Sequence, residues 1–302
     1  MQQILSRLRR CIEDYEMIRP GDRIAVGVSG GKDSLTLLYA MAKLRAFSPV
    51  PFELHALTVH PGVPEMDFGG VARLCEELDV PYHMVQTEIF HIIFDLRKEK
   101  NPCSMCAKMR RGALNQAILD LGFNKLALGH HYDDAVETFL MSLIFEGRIS
   151  CFQPVTKLDR TGVVQIRPML YIHEKTVDHF AQQQNMPILK NRCPVDKHTK
   201  REEVKELLFE LVGKYPDLKE RIFGAMQRYP LAGAYFRRVE KLLQSFRKSI
   251  TALVPYTEGS LIGWIHGRCE IIREEHTGEG VLLEVYVDEE SANRLEKFKV
   301  NE

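Results

Sequence analysis

The chain has no excess of either charge, no apolar run of membrane-spanning length and too few cysteines to staple itself together. Its 41 Lys and Arg residues balance 41 Asp and Glu, which excludes a uniformly basic nucleic-acid binder, although local patches survive such averaging. No run approaches the roughly 20 apolar residues that cross a bilayer, and residues 1–10 are charged and helix-patterned without the apolar centre of a signal peptide. The expected location is therefore the cytoplasm, away from membranes. Seven cysteines, an odd number, argue against a secreted disulfide framework. What is present, 45% hydrophobic and 27% charged residues over 302 positions, suits a globular chain of roughly two domains.

Within that ordinary composition one hexapeptide stands out. Ser29-Gly30-Gly31-Lys32-Asp33-Ser34 follows the apolar run Ile24-Ala25-Val26-Gly27-Val28 and opens the amphipathic run Leu35-Thr36-Leu37-Leu38-Tyr39-Ala40. The context is strand, glycine turn, helix. Paired glycines let the backbone close on an anion with its N–H groups inward, and the helix N-terminus behind them adds partial positive charge. The pattern is neither a Walker A loop nor the three-glycine dinucleotide fingerprint. It resembles the PP-loop of the ATP-pyrophosphatase family, in which Ser-Gly-Gly-x-Asp-Ser holds the pyrophosphate end of ATP during cleavage between the α and β phosphates.

Cysteines form the second signal. Asn101-Pro102-Cys103-Ser104-Met105-Cys106 is a C-x-x-C, and Cys193 supplies a third thiol far downstream. Zinc, an iron–sulfur cluster and a redox dithiol all use such pairs, and three ligands are one short of a closed zinc site. Between Arg97 and Arg111 stand Arg97, Lys98, Lys100, Lys108, Arg110 and Arg111 against Glu99; around Cys193 stand Lys190, Arg192, Lys197, Lys200 and Arg201 against Asp196. Two basic clusters flanking cysteines suit a phosphate backbone brought to a thiol site.

The PP-loop, the Cys103–Cys106 segment running on to Met109-Arg110-Arg111-Gly112, the run Gly129-His130-His131-Tyr132-Asp133-Asp134 and the late Cys193 occur in this order. Together they resemble the TtcA family of tRNA 2-thiocytidine synthetases over residues 1–228. The resemblance implies a [4Fe–4S] cluster held by Cys103, Cys106 and Cys193 with one iron lacking a protein ligand, a tRNA substrate, and sulfur from a cysteine desulfurase or free sulfide. It implies ATP contacts at Ser29, Gly30, Gly31, Lys32, Asp33, Ser34, Thr58, Gly129 and His130. A cluster-free relative would pass a persulfide between Cys106 and Cys193. Lysidine-synthetase-like chemistry, amidotransferase chemistry and noncatalytic RNA binding through an iron–sulfur cluster each fit part of the pattern. The first two of these have no use for three cysteines between basic clusters, and a binder has no need of an intact PP-loop.

Strands expected at 22–28, 52–59, 82–86 and 125–129 alternate with helices at 34–45, 67–78 and 107–121, after a helical segment at 1–15. This spacing predicts an α/β fold with an open, mostly parallel sheet, helices on both faces, and ligands beyond the carboxyl ends of the strands. The glycine loop, the cysteine loop and 129–134 would gather there. Lys32 would neutralise phosphate oxygens, Ser29 and Ser34 would donate hydrogen bonds, and Asp33 or Asp134 would hold Mg²⁺. Lys32, Asp33 and Asp134 are accordingly the expected catalytic residues. Lys108, Arg110, Arg111, Lys197, Lys200 and Arg201, with Arg167 after the strand-like 163–166, are the expected RNA contacts. In the implied reaction ATP adenylates the cytosine C2 oxygen, and sulfur carried on the cluster then displaces AMP.

Residues 229–302 fall outside this pattern. A basic amphipathic helix is expected at 235–249, helices at 261–269 and 289–299, and a hairpin of 270–275 with 281–287 around Thr277-Gly278-Glu279-Gly280. The order is similar to the C-terminal domain of HflX-type GTPases, without any GTPase motif. Its acidic hairpin suits partner docking or homodimer formation better than phosphate binding.

Overall fold

The computed structural model describes residues 1–63, 66–97, 102–159, 161–189, 200–228, 248–287 and 289–300. The chain divides into two compact units, Met1–Phe236 and Arg237–Glu302. Among the described residues no helix is long and apolar enough to cross a membrane.

In the first unit the order is α1 (Gln2–Asp14), β1 (Asp22–Gly27), α2 (Lys32–Arg45), β2 (Phe52–His60), α3 (Gly69–Glu77) and β3 (Tyr82–Gln86). A short helix α4 (Ile89–His91) runs into a π-helical turn (Ile92–Leu96) before α5 (Pro102–Asp120), β4 (Lys125–Ala127), α6 (Tyr132–Glu146), β5 (Val155–Lys157) and β6 (Val164–Ile166). Helices α7 (Glu174–Gln183), α8 (Lys200–Lys214) and α9 (Leu218–Arg228) follow. The six strands lie in the order β3-β2-β1-β4-β6-β5, all parallel except the β5–β6 pair.

Alternation along the strands builds two cores. Ile24, Val26, Leu54 and Ala56 face one layer with α1, α2, α3, α6 and α7, while Ala25 and Leu57 face the other with Ala117 and Ile118 of α5. Helix α2 lies inside the first layer, so Leu35, Leu37, Leu38 and Met41 are all fully buried; each such side chain contributes about 1.5–3 kcal/mol. At the amino ends of the strands the buried Lys125 and Asp22 pair at 2.6 Å, and Lys125 Nζ also donates to Met17 O at 2.7 Å. This ties β1 to β4 at the edge of the sheet opposite its carboxyl ends.

Strand order reverses between β1 and β4, since β2 and β3 lie on one side and β6 and β5 on the other. The crevice above that switch point is where an open α/β sheet binds ligands.

Three expectations need correction. The C-x-x-C is not a loop: α5 begins at Pro102, so positions 103 and 106 lie in its first turn. Proline suits a first helical position because its fixed φ is helical and its missing N–H has no partner there anyway. Second, the helix expected over 235–249 falls on residues 229–247, outside the described ones, and cannot extend through Lys248 and Ser249, which open a strand. That strand, β7 (Lys248–Val254), pairs along its length with β9, as its alternating Ile250, Ala252 and Val254 require. Third, the last helix is shorter than expected, with Leu295 ending it and a 3₁₀ turn following over Glu296–Phe298.

The second unit is thus a three-stranded antiparallel sheet, β7-β9-β8, rather than a lone hairpin. After β7 come α10 (Gly259–Arg268), β8 (Glu270–His276), β9 (Val281–Val287) and α11 (Glu289–Leu295). Its own core joins Ile250, Val254, Leu283 and Val285 to Leu261, Ile265 and Leu295.

Candidate active site

The glycine loop connects β1 to α2. Gly30 has φ +81°, which a side chain would resist, and a Cβ there would run into Leu189, whose N–H donates to Gly30 O at 2.9 Å. Ser34 Oγ accepts from Ser29 N at 3.2 Å and donates to Gly31 O at 2.9 Å, and Ser29 Oγ accepts from Gly31 N at 3.3 Å. The two serines therefore fold the loop on itself as well as presenting hydroxyls to a phosphate.

Across the switch point the 129–131 loop comes to meet it. A Cβ on Gly129 would stand 3.0 Å from the backbone carbon of Asp33, so any larger residue would push the two loops apart. His131 then caps α6: its Nδ1 accepts from Asp134 N at 3.3 Å, and Asp134 Oδ2 accepts from His131 N at 3.0 Å. Such a reciprocal box satisfies two otherwise orphaned donors of the first turn. Asp134 Oδ1 accepts from Arg201 Nη1 at 2.6 Å. Both oxygens of Asp134 thus already have donors.

Lys32 and Asp33 are placed differently. Burial pushes the Lys32 ammonium toward its neutral form, but Asp178 and Glu174 of α7 more than offset this and hold it charged; the Glu174 contact is 2.8 Å. Glu174 is held below its ordinary range by Lys32 and Lys205, against the effect of its own burial. Asp33 is pushed up by burial, only partly relieved by His131 and Lys32. Its Oδ1 is buried and has no hydrogen-bond partner among the described residues.

A belt of opposite charges surrounds these groups. Lys205 lies 3.5 Å from Glu174 and 3.8 Å from Glu137, and Arg201 lies 3.4 Å from Glu137. Burial raises Glu137 to about 7, with Lys205 and Arg201 pulling back only part of the way. Asp133 Oδ2 accepts from Glu174 N at 2.7 Å and its Oδ1 from Lys219 Nζ at 2.6 Å. By capping α7, Asp133 aims Glu174 and Asp178 at Lys32.

Of the other expected residues, Thr58 is fully buried and donates to Val28 O at 2.8 Å; its hydroxyl braces β1 rather than opening to the crevice. His130 is pushed down to about 4, chiefly by burial and then by Arg167, and its ring packs on Phe152 at 4.8 Å. Arg167, expected at the RNA surface, is 6% exposed and donates inward to Gln153 O, Thr156 Oγ1 and Gln165 Oε1. Arg201 is also turned inward, onto Asp134. Lys108 and Arg111 are exposed on α5, Arg110 is half-buried there, and Lys200 is exposed on α8 over the Phe145 ring.

Cys106 is half-buried against the Val59, Ile89 and Ile93 cluster. Cys193 and Lys197 lie outside the described residues, as does the side chain of Cys103. The described residues on either side of 190–199 do reach the site, Leu189 on Gly30 and Arg201 on Asp134. Among the described residues no three His, Cys, Asp or Glu side chains are arranged to hold a metal ion on their own.

Sequence reasoning singled out His131 and Asp133 within the 129–134 run without giving either a role, and it missed Glu137, Glu174, Asp178 and Lys205. Glu174 and Asp178 carried a faint signal, since carboxylates four apart share a helix face. Nothing in the sequence tied that face to Lys32.

A family model described as a PP-loop domain matches residues 1–211. The tRNA-cytidine(32) 2-sulfurtransferase of Geobacter sulfurreducens is 37% identical over 228 residues, covering 74% of this chain and 89% of its own. The Pelobacter propionicus protein of the same name is 39% identical over 230 residues, covering 74% and 86%. The solved U34-tRNA thiolase NcsA from Methanococcus maripaludis, with its [4Fe-4S] cluster, matches with a TM-score of 0.61 and 26% identity over 74% of this chain and 77% of that one. The chain, an enzyme built on a PP-loop domain, belongs to the tRNA-cytidine(32) 2-sulfurtransferase family.

Proposed function

We propose that this chain uses ATP to replace the C2 oxygen of a tRNA cytidine by sulfur. That oxygen is a poor leaving group. Its attack on the α-phosphate expels pyrophosphate, and sulfur then attacks C2 and expels AMP with the original oxygen. The observation that carries the reading is the meeting of the two loops at the switch point, where Gly129 lies against Asp33 and Lys32 is held charged beside them.

In this reading the N–H groups of residues 30–32 and the Lys32 ammonium bind the pyrophosphate end of ATP, and the carboxylate of Asp33 faces Mg²⁺. The residues fit both: the glycine cradle opens an α-helix, and Asp33 stands in the first turn of that helix with a carboxylate, the hard oxygen donor that Mg²⁺ takes. Asp134, with both oxygens accepting from protein donors, orders the loop first and reaches a cation only by exchanging Arg201. Lys108, Arg110, Arg111, Lys197 and Lys200 are the proposed tRNA contacts. Thr58 serves the nucleotide pocket through β1, and Gly129 and His130 form its other wall.

Cys103, Cys106 and Cys193 would hold a [4Fe–4S] cluster. Positions 103 and 106 lie one helical turn apart, and the flanks of the segment bearing Cys193 are bonded to the two nucleotide loops. When bound, the cluster supplies an iron without a protein ligand, where sulfur from a cysteine desulfurase or free sulfide can be held. Residues 229–302 are proposed as a partner or homodimer module of a cytoplasmic enzyme.

The test is anaerobic purification with iron and acid-labile sulfide analysis of the wild type and of Cys103→Ala, Cys106→Ala and Cys193→Ala. Nucleoside mass spectrometry of tRNA incubated with ATP and a sulfur source accompanies it. About four of each element per chain, lost in every variant together with 2-thiocytidine, is the expected result. Thiolation that persists without iron would overturn the cluster reading, and no thiocytidine from the iron-replete enzyme would overturn the substrate.

A further inference from the structure

The most unusual residue at the site is the helix cap His131. Capping alone is served best by Ser, Thr, Asp or Asn, yet α6 is capped by an imidazole that is 3% exposed. Its Nδ1 accepts the Asp134 N–H at 3.3 Å, so that nitrogen carries no proton and the ring proton of the neutral side chain is on Nε2. Nε2 faces Asp33 Oδ1 at 3.8 Å. That same oxygen is the buried one with no hydrogen-bond donor among the described residues. A donor committed by its other nitrogen thus faces an acceptor that lacks one, and a shift of about 1 Å closes the gap to ordinary hydrogen-bond length.

We propose that His131 is a positioning residue for Asp33: its Nε2–H fixes Oδ1 and thereby turns Oδ2 toward the nucleotide. The assignment rests on the reading of Asp33 as the Mg²⁺-facing carboxylate. It makes the cap a link between the two loops, because the N–H that orients the ring belongs to Asp134 on one loop and the oxygen it serves belongs to Asp33 on the other. Neighbouring groups are consistent with this. Lys32 is directed to Glu174 and Asp178 and Arg201 to Asp134 and Glu137, which leaves His131, among the described residues, as the side chain whose N–H faces Asp33 Oδ1.

Two substitutions separate capping from positioning. In His131→Asn the amide oxygen replaces Nδ1 and keeps the cap, but nothing reaches Asp33. His131→Gln puts an N–H near the former Nε2 and gives up the cap. Binding of Mg²⁺–ATP is measured by calorimetry, with thermal melting and steady-state thiolation alongside. The expected result is a melting temperature of His131→Asn within about 2 °C of wild type, Mg²⁺–ATP binding weakened about tenfold, and partial recovery of binding in His131→Gln despite a lower melting temperature. Spectra of ¹⁵N-histidine-labelled protein without ATP should show the residue missing from His131→Asn as the Nε2–H tautomer.

Wild-type Mg²⁺–ATP binding in His131→Asn, or an Nδ1–H tautomer, would overturn the proposal, as would a loss of binding in both variants that simply tracks their melting temperatures. Asp33→Asn serves as the reference. Unchanged Mg²⁺–ATP binding in that variant would remove the role of Asp33 itself, a failure distinct from any behaviour of residue 131.

Discussion

Lys32 Nζ lies 2.8 Å from Glu174 Oε1, so the cation of the glycine loop is already neutralised by α7, which carries Asp178 against it as well. ATP must exchange these carboxylates for its phosphate oxygens. Asp178→Asn should therefore tighten ATP binding several-fold, about 1 kcal/mol for a pair that is part solvated. Calorimetric titration with a nonhydrolysable ATP analogue checks this, and weaker binding would mean that α7 holds Lys32 in its working position instead.

Arg201 separates a site residue from a tRNA contact. Its 2.6 Å contact to Asp134 and its approach to the buried Glu137 assign it to the order of the nucleotide loops. Arg201→Met should weaken ATP binding by about tenfold, since it leaves Asp134 without its cation and Glu137 with Lys205 alone, and should leave the salt dependence of tRNA binding unchanged. Lys108→Ala or Arg111→Ala, on the exposed face of α5, should do the reverse, each lowering the slope of log K against log salt by about one while sparing ATP. Filter-binding isotherms over a salt series tell the two classes apart.

The contrast shows how far the sequence could be read. Strand, glycine turn and helix are local, so the loop at 29–34 and the parallel sheet around it were legible from a few adjacent residues. The inward turn of Arg167 and Arg201 was not, because a basic residue reads as surface unless the carbonyls and carboxylates it meets are known, and those come from β5, β6 and α6. Helix α5 begins earlier than expected for a local reason: a proline beside a charged run reads as the close of a loop, whereas Pro102 opens a helix. Glu174 stayed hidden because its meaning depends on Asp133, 41 positions earlier, which caps α7 and aims it.

At the far edge of the sheet the buried pair of Lys125 and Asp22 offers a test of stability without a test of function. Asp22 also accepts from Arg19 N at 2.6 Å and from Asn124 Nδ2 at 2.8 Å, so its charge is well solvated by the protein. Lys125→Met would leave it buried without its cation. A loss of about 3–5 kcal/mol is expected, measured by urea denaturation of the first unit's transition, with ATP affinity of the remaining folded protein unaltered.

His130 predicts the acid limb of stability. Its folded pKa of about 4 lies below its ordinary 6.5, because burial and the neighbouring Arg167 disfavour the imidazolium. Between these two values the unfolded chain takes up a proton that the folded one refuses. Stability is therefore fully present above pH 6.5 and is lost as pH falls toward 4, by up to about 3 kcal/mol. Glu137, raised from 4.5 to about 7, works in the opposite sense, since there the folded state holds the extra proton and stability declines as pH rises through that window. The two slopes largely cancel in the wild type between pH 4.5 and 6.5. Removing one exposes the other: His130→Gln should become more stable relative to wild type as pH falls from 6.5 to 4. Denaturation midpoints of the two proteins across that range provide the check, and parallel curves would show that His130 is not held neutral by its surroundings.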